Sequence, residues 1–297
     1  MNPVSCVIWN VDPIMVTLGP ISIRWYGIFF GSTFLLGYVM FYWQFKRARL
    51  TETRDDLLSL YYLLVFFLII GAGAGAYFGH RIFYNWDRFF TNPLSLISLK
   101  GGLRGLSSHG AAIGILTAAF LFHLQSKMRY GEILDRLSFS VAVAAILVRL
   151  GNLMNSEIVG RKTNVAWAFC FPRYDGALIP RHPSQIYEAF IGLVVLVSLF
   201  MVDRKAGGEK RPLGLMSSVF LLIYFPLRFL TEFFKEYHIL PAESPLTMGQ
   251  YLSMPFVGVG VCLLVWSLKN RLPAGKHPVA ADDSSVQGVP PPIPPNP

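Results

Sequence analysis

The chain has 297 residues, 53% of them hydrophobic and only 14% charged, with a net charge of +9. That apolar excess excludes an ordinary soluble domain and a disordered chain, and it points to a protein dissolved in a bilayer. The positive balance is not a nucleic-acid signal, because the basic residues punctuate apolar runs in short clusters instead of forming one patch.

A helix satisfies its backbone polar groups internally, so it is the open-ended way through lipid, and about 20 apolar residues span the hydrocarbon core. Seven runs approach that length, at 21–45, 57–79, 107–126, 133–150, 186–202, 213–234 and 247–268. Gly and Ala dilute the third and fourth, so five or six spans stay open. The chain reads as all-α, a polytopic integral membrane protein of about seven transmembrane helices with loops on its outer face.

With seven spans, the basic clusters at 46–56, 203–212 and 269–276 fall on one side, together with the turn at 126–136. The positive-inside rule then puts the C-terminus in the cytoplasm and the N-terminus outside. The opposite side also carries basic residues, Arg81, Arg88, Lys100, Arg104, Arg161, Lys162, Arg173 and Arg181, but they are spread over longer loops. An even number of spans would break this scheme. The first 20 residues lack a basic n-region, so no cleavable signal peptide is expected.

Three cysteines, Cys6, Cys170 and Cys262, offer no disulfide framework. Cys170 stands in AWAFCFP, which reads as an interfacial anchor; without a flanking base it is not a candidate nucleophile. Residues 1–275 read as one membrane-embedded domain. Residues 276–297, rich in Pro, Asp and Ser, read as a disordered C-terminal tail.

Polar residues at membrane depth each need a reason, since a central charge costs about 2.5–3.5 kcal/mol on insertion scales. Arg24, Arg81 and Lys235 read as side chains snorkelling from span ends. Arg149 shares a helical face with Asn152 and Ser156, and Arg228 and Glu232 form an i, i+4 pair in an apolar run. These are either neutralised structural bridges or parts of a site. Tyr26, in SIRWYGIFFGS, fits an interfacial aromatic belt. His109 follows a Gly-rich stretch, where small neighbours permit close approach of a ligand. In PRHPSQIYEA, Ser184 is placed to N-cap the next span.

In order, RWYG, a Gly-rich loop ending SHG, RLGNLMNSEIVGR, RHPSQIYE, LRFLTEFF and TMGQYLSMP resemble the prolipoprotein diacylglyceryl transferase family over about residues 9–268. The resemblance implies a bacterial inner-membrane enzyme without metal or cofactor. Its partners are the lipid bilayer, phosphatidylglycerol and the signal peptide of a prolipoprotein, and no nucleic acid takes part. It implies transfer of the diacylglyceryl group to the lipobox cysteine thiol, with release of glycerol phosphate.

By motif position, the resemblance makes His109, Arg149, Arg228 and Tyr26 catalytic. It makes Arg149, Asn152, Asn155, Glu157, Gly160, Arg228 and Glu232 the phosphatidylglycerol-binding set. The arginines would clamp the phosphate, while the base is His109, or else Glu157 or Glu232. The chain departs from the family pattern at Val148, Ala111 and Phe225. A non-enzymatic membrane protein that binds or transports anionic lipid would use the same arginines. An intramembrane protease or a CDP-alcohol phosphotransferase would need arrangements that the sequence lacks.

Overall fold

The computed structural model describes residues 6–48, 54–84, 107–126, 128–236 and 244–273. Seven long helices run through it: α1 (Trp25–Ala48), α2 (Arg54–Tyr84), α3 (Ser108–Gln125), α4 (Tyr130–Met154), α5 (Ser184–Lys205), α6 (Leu215–Thr231) and α7 (Met248–Asn270). Each coincides with one of the seven apolar runs. Six are long and apolar enough to cross a membrane, and α3 is the shorter one. The chain is therefore a multi-pass helical membrane protein. The fourth run, diluted by small residues, is a full span as α4.

The helices carry apolar side chains outward as well as inward. Phe34, Leu35, Phe66, Ile70, Phe190, Val261 and Val265 are all exposed, as expected where the surrounding solvent is lipid. One core joins α1 to α4 around Phe45, Tyr61, Leu64, Phe122 and Ile133. A second joins α4, α5 and α6 around Phe139, Val195, Leu199 and Met216.

Between α2 and α3 the contact is backbone against backbone. A Cβ added at Gly75 would overlap the Gly110 carbonyl oxygen, and one at Gly114 would overlap that of Gly71. Small residues at every fourth position let two helices approach this closely in lipid.

Short strands decorate one face: β1 (Val7–Ile8), β2 (Ile14–Leu18), β3 (Ile21–Arg24), β4 (Phe169–Cys170) and β5 (Pro180–Arg181). β1 pairs parallel to β4, which pairs antiparallel to β5, and β2 with β3 forms a hairpin leading straight into α1. These strands were absent from the sequence reading: β1, β4 and β5 are two-residue ladders that leave no alternation to detect, and β3 runs into the apolar stretch of α1. Cys6 and Cys170 form a disulfide, with Cα atoms 5.8 Å apart, between the segment before β1 and β4. The expectation of unpaired cysteines is thus corrected. Pairing depends on spatial neighbours 164 residues apart in sequence.

The opposite face holds buried ion pairs. Arg136 is wholly buried and lies 2.9 Å from Glu132 and 2.8 Å from Glu209. Asp203 is shared by Arg47 at 2.6 Å and Arg211 at 2.7 Å. From α4, Asp135 accepts the backbone N–H groups of Gly214 and Ser217, at 2.8 and 2.9 Å, and so satisfies donors orphaned at the start of α6. The Gly-rich stretch 101–106 and the tail 276–297 lie outside the described residues.

Candidate active site

At the face carrying the disulfide, the ends of four helices converge. α4 stops at Met154, and two residues with positive φ, Ser156 at 53° and Ile158 at 56°, turn the chain back on itself. Left-handed backbone is costly for residues other than glycine and clusters at functional sites. The turn is held by Glu157 N–H donating to Asn152 O at 2.9 Å. The start of α5 holds it as well: Gln185 Nε2 donates to Glu157 O at 2.7 Å and Ser184 Oγ to Ile158 O at 2.6 Å. Ser184 therefore pins the loop instead of capping its own helix, and Pro183 occupies the cap position. Ser156 lies past the helix end, so the face expected for Arg149, Asn152 and Ser156 reduces to the first two.

Glu188 of α5 is the centre of the cluster. Arg149 Nε lies 3.0 Å from Glu188 Oε2, in ion contact without hydrogen-bond alignment. Glu188 Oε1 accepts from Arg228 Nη1 at 3.2 Å and from Lys235 Nζ at 2.8 Å. Lys235 also donates to Glu232 Oε1 at 2.7 Å, while Arg228 stands 3.7 Å from that oxygen. Glu232 Oε2 accepts from Thr247 Oγ1 at 3.1 Å, and its carboxylate packs where Gly249 lacks a side chain. Glu232 thus leaves α6 for the 3-10 turn Glu232–Phe234, and its close partner is Lys235 rather than Arg228.

Lys235 does not snorkel: its side chain is buried between two carboxylates. An ammonium taken out of water is stable only when paired in this way. The linked set holds three cations, Arg149, Arg228 and Lys235, against two carboxylates, Glu188 and Glu232. Its buried members are the carboxylates and the lysine. The arginine side chains keep 16% and 23% of their exposure, so the accessible charge is cationic.

The remaining residues named from the sequence arrange themselves around this cluster. Arg149 Nη1 donates to Asn152 Oδ1 at 3.3 Å, and Asn155 Nδ2 donates to Glu157 Oε1 at 3.2 Å. Asn152 Nδ2 lies 3.5 Å from Glu157 Oε2, so the two amides and the carboxylate form one polar edge. Tyr26, in the first turn of α1, places its ring against Gly151, where a Cβ would come within 2.9 Å of Cδ2. At Gly160 a side chain would collide with the carbonyl oxygens of His182 and Phe234, because the loop threads between α5 and the turn after α6.

His109 is not gathered into the cluster. It sits exposed in the first turn of α3, after the N-cap Ser107, and makes no hydrogen bond or ion pair among the described residues.

Sequence reading took Lys235 for a snorkelling side chain and gave no site role to Glu188, Thr247 or Gln250. The signal for the last two was present in TMGQ, a capping-box spacing before an apolar run. Both of its reciprocal bonds form. Lys235 follows Glu232 at i+3, a spacing that brings the two side chains together only once the turn is helical.

Fold and site together define a polytopic membrane protein with a linked cluster of three cations and two carboxylates at one face. A family model, prolipoprotein diacylglyceryl transferase, matches residues 13–266. Among curated relatives, a phosphatidylglycerol–prolipoprotein diacylglyceryl transferase of Chloroherpeton thalassium is 39% identical over 272 residues, covering 91% of this chain and 97% of the relative. Proteins of the same name from Tolumonas auensis and Bacteroides fragilis are 36% and 32% identical, over 89% and 91% of this chain and 98% of each relative. The chain belongs to the prolipoprotein diacylglyceryl transferase family.

Proposed function

We propose that this chain transfers the diacylglyceryl group of phosphatidylglycerol to the thiol of a prolipoprotein lipobox cysteine; its relatives' name, phosphatidylglycerol–prolipoprotein diacylglyceryl transferase, supports the two substrates. The carrying observation is the pair of partly exposed guanidinium groups, Arg149 and Arg228, held from two helices by the single carboxylate of Glu188. A guanidinium stays charged in a poorly hydrated pocket and donates two parallel hydrogen bonds to a phosphodiester.

The reaction is a displacement at carbon. The cysteine sulfur, as thiolate, attacks the diacylglyceryl carbon that bears the phosphate ester. A sulfur–carbon bond forms, the carbon–oxygen bond breaks, and its electron pair leaves on glycerol phosphate. Negative charge grows on the phosphate oxygen as that bond stretches, and Arg149 and Arg228 are already aimed to meet it. Lys235 and Glu232 hold the arginines' shared carboxylate in place.

Asn152 and Asn155, oriented by Glu157, bind the glycerol of the headgroup. Gly160 keeps the loop close enough for them to do so, and Tyr26 lines the lipid side. His109, exposed at the start of α3, takes the thiol proton.

The protein works in the bacterial inner membrane with the site face outside, N-terminus outside and C-terminus in the cytoplasm. Two features favour that orientation: the basic clusters on the opposite face, and the Cys6–Cys170 bridge on the site face, since disulfides persist in oxidising compartments. The test is incubation of the purified protein in nanodiscs of headgroup-labelled phosphatidylglycerol with a lipobox peptide. The peptide gains a diacylglyceryl group with equimolar release of glycerol phosphate, and its Cys→Ser version gains nothing. Binding of the lipid without release would instead make the chain a lipid-binding protein.

A further inference from the structure

The end of α4 that carries Arg149 and Asn152 is tied down from a distance. A helix leaves its last carbonyls without intrahelical partners. Local bonds serve most of them here: Gly151 O accepts Asn155 N–H at 3.2 Å, Asn152 O accepts Glu157 N–H at 2.9 Å, and Leu153 O accepts Ser156 N–H at 3.0 Å. Leu153 O also accepts the indole N–H of Trp9 at 2.9 Å, from a residue 144 positions away.

Trp9 is itself held on three sides. Its backbone N–H donates to Cys170 O at 2.8 Å, and Val7 N–H donates to Ala168 O at 2.8 Å. Its ring lies 5.8 Å from that of Phe169, against the small core of Leu153, Val159 and Phe171. The ladder of β1 on β4 is only two residues long, too short to persist alone. The Cys6–Cys170 bridge pins its outer edge. Cys6 and Trp9 both precede residues 13–266, the part that the family model matches.

We propose that Trp9, fixed by the Cys6–Cys170 disulfide, is a positioning residue for phosphatidylglycerol: it caps α4 and so sets where Arg149 and Asn152 present their donors. The proposal rests on the reading of those residues as the headgroup site. Asn152 is the immediate neighbour of Leu153, and Arg149 lies one helical turn before it. Loss of the Trp9 bond frees that turn, so lipid recognition weakens and Arg149 meets the leaving phosphate less well, while the peptide's own binding is untouched.

The test uses the full chain in nanodiscs containing phosphatidylglycerol. Four samples are compared: the oxidised wild type, the wild type treated with dithiothreitol, Trp9→Phe, and Cys6→Ser with Cys170→Ser. Dithiothreitol delivers two electrons and two protons to the bridge, leaving two thiols and its own cyclic disulfide. The apparent KM for phosphatidylglycerol, as mole fraction, rises about fivefold in the three altered samples, the equilibrium weight of one hydrogen bond. kcat falls alongside, because Arg149 also meets the leaving phosphate, while the KM for peptide stays within about twofold of the wild type and amide exchange over residues 151–157 accelerates. The double serine variant no longer responds to dithiothreitol.

A lower melting temperature with an unchanged lipid KM overturns the proposal and leaves the bridge as a staple only. Unchanged exchange over 151–157 overturns it as well. If the wild type transfers nothing, the proposed reaction fails, and the exchange measurement still decides whether Trp9 positions α4.

Discussion

Arg149 of α4 and Arg228 of α6 meet on the two oxygens of one carboxylate, with Arg149 Nε 3.0 Å from Glu188 Oε2 and Arg228 Nη1 3.2 Å from Glu188 Oε1. Two guanidinium groups repel each other unless something stands between them. Glu188 does so from the second turn of α5, and it fixes their separation before any substrate arrives.

Glu188→Gln keeps the shape and removes the charge that Arg149, Arg228 and Lys235 share. Breaking one side of a buried ion pair typically costs about 3–5 kcal/mol. The melting temperature therefore falls clearly in a thermal-shift scan, and turnover drops by at least about tenfold because the arginines no longer face the phosphate together. A variant with wild-type stability and turnover would show that the shared carboxylate organises nothing.

General-base catalysis is worth roughly 10²–10⁴-fold. His109→Asn is expected to lower kcat by about 100-fold or more with the KM for phosphatidylglycerol unchanged. Glu157→Gln is expected to act mainly on that KM, since Glu157 touches the amides of Asn152 and Asn155. Steady-state kinetics of both variants separates the roles. Near-normal kcat for His109→Asn beside a collapsed kcat for Glu157→Gln would move the base to the carboxylate.

Gly160→Ala places a methyl against two backbone oxygens, those of His182 and Phe234, which have no rotamer by which to withdraw. Overpacking of this kind costs about 1–3 kcal/mol. The loop that holds Glu157 is pushed away from Lys235, so stability and lipid KM both worsen. An alanine variant with an unaltered melting curve would contradict the close approach described here.

Burial holds the His182 imidazole below the ordinary histidine range, because the charged ring is the form that loses hydration. The unfolded chain then binds this proton more tightly than the folded one. Above the ordinary histidine pKa the group costs nothing, and the cost grows as pH falls through that value toward the lowered one. Between roughly pH 7 and pH 5 the melting temperature of the wild type falls more steeply than that of His182→Asn. Parallel curves for the two proteins would contradict this.

The seven helices were legible because each is an apolar run bounded by charge or glycine, and lipid permits little else. The polar residues of the site were legible one by one, since a charge in such a run stands out. Their pairing was less so. Arg228 with Glu232 is the neighbour that helical spacing suggests, yet the close partner of Arg228 is Glu188, 40 residues earlier. Lys235 had the sequence of a snorkelling lysine and became a buried one because α5 brings a carboxylate beside it. The Cys6–Cys170 bridge had no signal at all: its partners meet only after β1 crosses to β4.

The most direct test of the account is the initial rate of glycerol phosphate release by Arg149→Lys in phosphatidylglycerol nanodiscs with a lipobox peptide. Lysine keeps the positive charge beside Glu188 but cannot donate two parallel hydrogen bonds to a phosphate. The account predicts a fall of at least about tenfold, in a protein that still folds, since the ion pair persists. A rate equal to that of the wild type would contradict the guanidinium clamp on which the proposed mechanism depends.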